Sequence, residues 1–116
     1  GGPLQERITD TVTRRCELFE IVSPVRRAAL LIRHRSPTID ENLAVLARVL
    51  RAQLADTFAP ELDRLDEEQD GRCPVLDAMD LATSWEAWER LRTSQALTRD
   101  RARCVLHVTL TGLLGA

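Results

Sequence analysis

The last thirteen residues of the chain, CVLHVTLTGLLGA (104–116), contain no charged side chain except that of His107, when it is protonated. At 3.6 residues per turn, one large apolar face is predicted to contain Ala102, Val105, Leu106, Thr109 and Leu113. The opposite side carries small or slender residues: Cys104, Val108, Thr111, Gly112 and Gly115. A helix on the surface of a monomer normally has a charged side. Its absence here predicts that the last helix is covered on both sides.

A second copy of the chain is the expected cover for the side that carries Val108 and Gly115. Each large apolar residue withdrawn from water contributes roughly 1.5–3 kcal/mol, and twofold dimers are the commonest closed assemblies. The alternative is that the last helix lies at the centre of a single copy. The first interpretation predicts a homodimer and the second does not.

Both tryptophans lie in the preceding stretch, SWEAWERLR (84–92). Trp85 is expected in the core or in the wall of a pocket, and Trp88 either in the core or in an interface. Trp88 and Arg92 have the spacing of a cation–π pair, and an apolar anchor beside charged groups is typical of an interface with a polar rim. The predicted dimer interface therefore comprises Trp88, Arg92, Cys104, Val108, Thr111, Gly112 and Gly115.

Apolar spacing predicts helices along the rest of the chain as well. The first spans residues 4–22, with Ile8, Val12, Cys16 and Phe19 on one stripe. Ser23-Pro24 and Ser36-Pro37 each combine an N-cap with a first-turn proline, and so predict the starts of a short second and a long third helix.

Pro60 is expected to end or kink the third helix, and DRLDEEQDG (63–71) to form an acidic connector closed by Gly71. A fourth helix is predicted from Cys73-Pro74 to Arg92. It is expected to be continuous, although Thr83 and Glu86 have capping-box spacing. Leu97-Thr98 opens the last helix. The sequence thus predicts one all-α domain, residues 1–116, built as a five-helix bundle.

Composition excludes several classes of protein. A net charge of −2 over 116 residues gives no overall attraction to nucleic acid. Three widely spaced cysteines argue against a disulfide framework, and no run of about 18 apolar residues predicts a membrane span. A cytoplasmic protein is expected. No glycine-rich phosphate loop or H-E-x-x-H motif occurs, so neither an enzyme nor a cofactor is predicted.

Three stretches resemble the C-terminal regulatory half of TetR/AcrR-type transcriptional regulators: RRCELFEIVSPVRRAALL (14–31), SPTIDENLAVLARVLRAQLADTFAPEL (36–62) and LDAMDLATSWEAWERLRTSQALTRDRARCVLHVTLTGLL (76–114). The resemblance covers residues 4–115. It implies a helical domain that binds a small effector and forms a homodimer, with the last two helices (74–93 and 98–115) in an intermolecular four-helix bundle. An N-terminal helix-turn-helix domain, which would bind DNA, has no counterpart in this sequence. The chain alone is therefore not expected to bind operator DNA.

An effector pocket is expected between the first, third and fourth helices, because small-molecule sites have apolar walls with few polar groups. Its predicted lining is Cys16, Phe19, Leu50, Leu54, Phe58, Met79 and Trp85. A lipophilic effector is expected, with Arg27 or Arg48 available if it is anionic. Plain core packing is the alternative for each lining residue.

Other interpretations stay open at this point. Cys104 and His107 form C-x-x-H, half of a zinc site that a twofold axis would complete, although no metal is predicted. Cys16, close to Arg14 and Arg15, would suit a redox-sensing thiol. The basic pairs Arg14-Arg15 and Arg26-Arg27 are expected to pair with Glu17, Glu20 or solvent. A helical dimerisation or protein-interaction module without a ligand is the main functional alternative.

Overall fold

The structure is a computed structural model that describes residues 2–69 and 72–115. Within these residues the chain forms six α-helices and no strand, which confirms the predicted all-α class and corrects the predicted count of five. The helices are α1 (Leu4–Ile32), α2 (Pro37–Thr57), α3 (Ala59–Gln69), α4 (Arg72–Ala82), α5 (Trp85–Glu89) and α6 (Arg99–Leu114). A 3₁₀ turn (Arg33–Arg35) joins α1 to α2, and α5 continues as a π-helical turn (Arg90–Ser94).

The long helix α1 runs through the point where a second helix was predicted to begin. Pro24 lies inside it and has no N–H to donate, a defect that costs about 3 kcal/mol in a helix interior. Ser23 is not an N-cap; its hydroxyl donates to the Phe19 carbonyl one turn earlier, at 2.5 Å. Residues before and after Pro24 contact α5, and these contacts keep α1 continuous. Because α5 lies far away in the sequence, the local sequence around Pro24 does not predict them.

The predicted fourth helix is interrupted, so the prediction of one continuous helix is wrong. Thr83 and Ser84 separate α4 from α5, and Ser84 caps α5 by accepting a hydrogen bond from the Ala87 N–H at 3.1 Å. The Thr83 hydroxyl donates backward to the Met79 carbonyl at 2.8 Å. The interruption therefore has its own hydrogen bonds, with the cap one residue later than the capping-box spacing predicts.

The segment after Pro60 is also more helical than predicted. Pro60 is the second residue of α3, a position in the first turn that needs no backbone donor. Leu62 and Phe58 are fully buried there, and their burial fixes α3 against the bundle. The predicted loop end at Gly71 lies outside the described residues.

Two predicted helix starts are confirmed. Ser36 accepts from the Ile39 N–H with Pro37 as the first helical residue of α2, and Thr98 accepts from the Arg101 N–H at the start of α6. At the other end of α6, Gly115 has φ of 72°, the left-handed conformation that glycine adopts without steric cost.

In the core, α6 packs against both α1 and α4, while α2 and α3 pack on α4 and α5 packs on α1. The core includes the predicted stripe of α1, in which Ile8, Val12, Cys16 and Phe19 are all buried. The buried side of α6 carries Ala102, Leu106, Leu110 and Leu114. No helix among the described residues is long and apolar enough to cross a lipid bilayer.

Candidate functional site

A cleft of about 500 Å³ opens between α1, α2, α4 and α5. This volume falls within the range of small-molecule sites. Its apolar lining consists of Leu43, Ala44, Ala47, Leu50, Leu81 and Trp85. Its polar lining consists of Arg15, Arg26, Arg33, Arg51, Asp77, Asp80, Ser84 and Glu86. We call this site the α2–α5 cleft.

Trp85 forms one wall of the α2–α5 cleft and is anchored to α1. The residue is 4% exposed, and its indole Nε1 donates to the Ser23 hydroxyl at 3.0 Å. The Arg26 guanidinium lies over the same ring, 4.8 Å from its centroid, which is a cation–π distance. The contact of Trp85 with α1 therefore lies beside two irregular points of the chain, namely the interruption before α5 and Pro24 in α1.

Arg26 is an incompletely satisfied cation in this wall. Its side chain is only 12% exposed, and Glu86, the carboxylate beside it, lies 3.9 Å away and is itself 70% exposed. The buried Nε of Arg26 has no hydrogen-bond partner among the described residues. Burial lowers the pKa of the Arg26 guanidinium, and the nearby Glu86 carboxylate opposes that shift.

Arg15 forms the floor of the α2–α5 cleft and joins three segments. It is 4% exposed and donates to the Thr83 carbonyl at 3.0 Å, to the Thr83 hydroxyl at 3.2 Å and to the Leu50 carbonyl at 2.7 Å. Burial lowers its pKa, and the charge of Asp80 acts in the opposite direction. A charged side chain therefore fixes the interruption between α4 and α5 to both long helices.

The other charges in the lining are paired. Arg51 contacts Asp77 at 2.6 Å and Asp80 at 3.6 Å, and Arg33 donates to Asp40 at 2.8 Å. These pairs are largely exposed and therefore weak. Among the described residues, Arg15 and Arg26 are therefore the two arginines of the lining that have no carboxylate within hydrogen-bonding distance.

The predicted effector residues divide into two groups. Leu50 and Trp85 line the α2–α5 cleft, and Leu50 and Leu54 line a neighbouring cleft of about 420 Å³ between α1 and α2. The remaining four belong to the closed core and line neither cleft: Cys16, Phe19, Phe58 and Met79.

The two arginines proposed for an anionic effector are engaged elsewhere. Arg27 forms a bidentate salt bridge with Glu89, in which its Nε and Nη2 atoms lie 2.5 and 2.7 Å from the two carboxylate oxygens. The Arg48 guanidinium lies 3.2 Å from a carboxylate oxygen of Glu41. Neither lines the α2–α5 cleft. Of the basic pairs, the buried Arg15 and the half-buried Arg26 contact Thr83 and Trp85 rather than the expected Glu17, Glu20 or solvent.

The two predicted interface residues that precede α6 make contacts within the chain. Trp88 is 1% exposed, and its Nε1 donates to a carboxylate oxygen of Glu20 at 3.1 Å. Arg92 donates to the other oxygen of Glu20 at 2.8 Å and to the Leu97 carbonyl at 2.9 Å. Trp88 is thus a core residue whose polar edge is satisfied by α1, and the expected Trp88–Arg92 stacking is replaced by a shared carboxylate.

The five predicted interface residues at the C-terminal end are different, because all lie on one side of α6. Val108 is 70% exposed, Cys104, Gly112 and Gly115 are exposed, and Thr111 is half-buried. A Cβ atom built on Gly112 would meet nothing within 4 Å. A single chain does not cover this side, which we call the outer face of α6, so the helix does not lie at the centre of one copy.

The two cysteine hypotheses meet different surroundings. Cys16 is 2% exposed, and burial raises the pKa of its thiol to about 11, whereas a redox-sensing thiol needs a lowered pKa. Cys104 is exposed. The Nε2 atom of His107 lies 3.4 Å from the Thr9 hydroxyl, and its Nδ1 atom lies 3.5 Å from the Thr111 hydroxyl. No group of three or more potential ligands for a metal ion occurs within the described part of the chain.

Sequence reasoning missed Arg15, Ser23 and Arg26. A signal for Arg15 existed, because it lies three residues after Val12 and four before Phe19, on the stripe predicted to be buried. A charged residue on a buried stripe must find polar partners, and here they are the Leu50 carbonyl in α2 and the Thr83 carbonyl between α4 and α5. For Arg26 the sequence carries no comparable signal, since its position depends on Trp85.

No family model, curated protein or solved structure matches the chain.

Proposed function

We propose that this chain is the regulatory domain of a TetR-like transcriptional regulator, which binds a small effector in the α2–α5 cleft and forms a homodimer through the outer face of α6. In this proposal a separate N-terminal helix-turn-helix domain binds DNA, and the present domain controls it. The proposal rests on the resemblance of residues 4–115 together with the geometry of the cleft.

The observation that carries the proposal is the position of α5. Trp85 in its first turn is a wall of the α2–α5 cleft, and the chain runs from α5 through the π-helical turn Arg90–Ser94 and a short non-helical segment (95–98) into α6. A ligand that displaced Trp85 would act on the segment leading to the outer face of α6. Such a connection suits a domain whose ligand shifts an equilibrium between two arrangements of a dimer.

The outer face of α6 supports the dimer. Its residues between 104 and 115 carry no formal charge, and its small side chains permit the close approach of another helix. Arg101, one turn before Cys104, is exposed and is suited to the rim of such an interface, where charges are usual.

A dimerisation module without a ligand is the second candidate function. It is favoured by the four predicted effector residues that lie in the closed core, because a chain that uses them for packing needs no ligand. The two candidates share the outer face of α6 and differ only in the α2–α5 cleft.

Thermal unfolding with a panel of lipophilic compounds tests the effector function. A ligand at 100 times its dissociation constant stabilises the folded state by about 2.7 kcal/mol, so at least one compound should raise the midpoint. Ala47→Trp, which fills the cleft from its exposed wall, should abolish the shift. Ala52→Trp, at an exposed position on the same helix, should retain it. A panel without any shift, or a shift that Ala47→Trp leaves intact, overturns this function for the α2–α5 cleft.

A further inference from the structure

We infer that the α2–α5 cleft selects a small organic anion with an apolar body, whose acidic group is bound by Arg26 beside Trp85. This inference rests on the proposed effector function and names the chemical class of the ligand. It replaces the arginines expected from sequence, Arg27 and Arg48, by one that no sequence pattern indicated.

The charge balance of the cleft favours an anion. The lining contains four arginines and three acidic residues. Arg51 is shared by two of the acids, and Arg33 is paired with Asp40. Arg15 uses its donors on uncharged groups, namely Thr83 and the Leu50 carbonyl. The remaining cation, Arg26, has the exposed Glu86 at 3.9 Å, and a ligand carboxylate can compete with such a distant partner.

Arg26 is held in place before any ligand arrives. Its guanidinium is stacked on Trp85, whose indole is fixed by Ser23. A planar guanidinium recognises carboxylates and phosphates through paired hydrogen bonds. Because this one is mostly buried and its Nε lacks a partner among the described residues, an incoming acidic group supplies acceptors that the surrounding side chains do not.

The apolar wall defines the rest of the ligand. Leu43, Ala47 and Leu50 recur at helical spacing along α2 and face the cleft. Leu81 on α4 also lines it and is 72% exposed, so burying its side chain under a hydrocarbon group is favourable. Small residues at 44 and 47 leave room beside these leucines. A body of aliphatic character fits this lining.

Calorimetric titration of the full chain at neutral pH with octanoate, octyl phosphate and octanamide tests the inference. At least one of the two anions is expected to bind ten times more tightly than the neutral amide, which has the same hydrocarbon body as octanoate. The tighter of the two anions identifies the acidic group. Quenching of tryptophan fluorescence should accompany binding, because Trp85 lies in the wall.

Matched variants locate the anion. Arg26→Gln should weaken binding of the preferred anion at least tenfold and leave the amide unchanged, while Arg27→Gln removes the same charge one residue away and should have no effect. Glu86→Gln should tighten binding of the anion about threefold, because it removes the competing carboxylate. This third variant keeps Arg26 on Trp85 and so does not depend on how well Arg26→Gln folds.

Equal binding of the amide and both anions overturns the anion selectivity and leaves the effector function standing. Weakened anion binding in Glu86→Gln, or unchanged anion binding in Arg26→Gln, also overturns it. If none of the three compounds binds, the inference fails, and the wider compound panel with Ala47→Trp then decides whether the effector function fails with it.

Discussion

The two helices α1 and α6 meet in the core but use their other surfaces in opposite ways. Polar and charged groups of α1 bind it to several neighbouring segments: Arg7 to α3, Arg15 to α2 and Thr83, Arg27 to α5, and Glu20 to the turn after α5. Along residues 104–115 of α6, the outer face is uncharged and open. The position of α1 is thus fixed by contacts within the chain, whereas the outer face of α6 is left uncovered by the described residues of the chain.

This difference separates the contacts that set the tertiary structure from the surface that takes no part in it. Directional hydrogen bonds from α1 fix the positions of α2 and α5, and thereby shape the α2–α5 cleft. Apolar burial is the main interaction that holds α6 in the bundle, beside the 3.4 Å contact of His107 with Thr9, and the uncovered side of α6 is available to another surface.

Replacing the buried arginine should have the largest effect on stability. Arg15→Met leaves the Thr83 carbonyl without its donor in a fully buried position, and is expected to lower the free energy of unfolding by about 3 kcal/mol in urea denaturation. Arg14→Met, at the adjacent exposed position, should change it by less than about 0.5 kcal/mol. Equal stability of the two variants would show that α1 is not fastened through Arg15.

A charge on the outer face of α6 should disrupt the proposed dimer while leaving the chain folded. Gly112→Arg meets no atom of its own chain at the Cβ position, so its cost appears only in association, as a loss of at least about 100-fold, or roughly 2.7 kcal/mol. Sedimentation over a concentration series measures this loss. Ala52→Arg places the same charge on an exposed part of α2 and should associate as the native chain does. An unaffected Gly112→Arg variant would remove the outer face from the interface.

Restoring the missing donor in α1 should stabilise the protein. Pro24→Ala supplies an N–H for the Glu20 carbonyl within a helix that already continues through this point, with an expected gain of about 1 kcal/mol. Pro37→Ala, in the first turn of α2 where no donor is needed, should bring no gain. A loss of stability in Pro24→Ala would mean that the proline shapes α1 rather than being tolerated by it.

The smallest effect concerns acid stability. Hydrogen bonds from Arg7, at 2.6 and 2.8 Å, hold the pKa of Glu61 below its ordinary value of 4.5. Because the folded value is the lower one, the pair stabilises the protein above about pH 4.5, and this contribution is lost as the pH falls through the folded pKa. Glu61→Gln should therefore lose about 0.5 kcal/mol less stability on acidification. Glu41→Gln, in an exposed pair, should follow the native profile in chemical denaturation across this pH range.

The features that could be predicted from the sequence are those set by residues close to one another along the chain. The caps at Ser36 and Thr98 and the stripe from Ile8 to Phe19 were predictable, because spacing and hydrogen-bonding groups a few residues apart define them. The helix through Pro24 was not, since contacts with Trp85 and Glu89, each 62 residues from its partner in α1, maintain it. The candidate site divides in the same way. Leu50 and Trp85, which line the α2–α5 cleft, were among the predicted pocket residues. The position of Arg26 was not predictable, because it depends on the packing of α5, which is distant in the sequence.

Light scattering of the native chain tests the central claim, that a second copy covers the outer face of α6. The account predicts a particle with twice the 13.1 kDa mass of one chain, and dissociation of that particle in Gly112→Arg. A native particle of 13.1 kDa at every accessible concentration would contradict it, because Val108 and its neighbours would then remain in water.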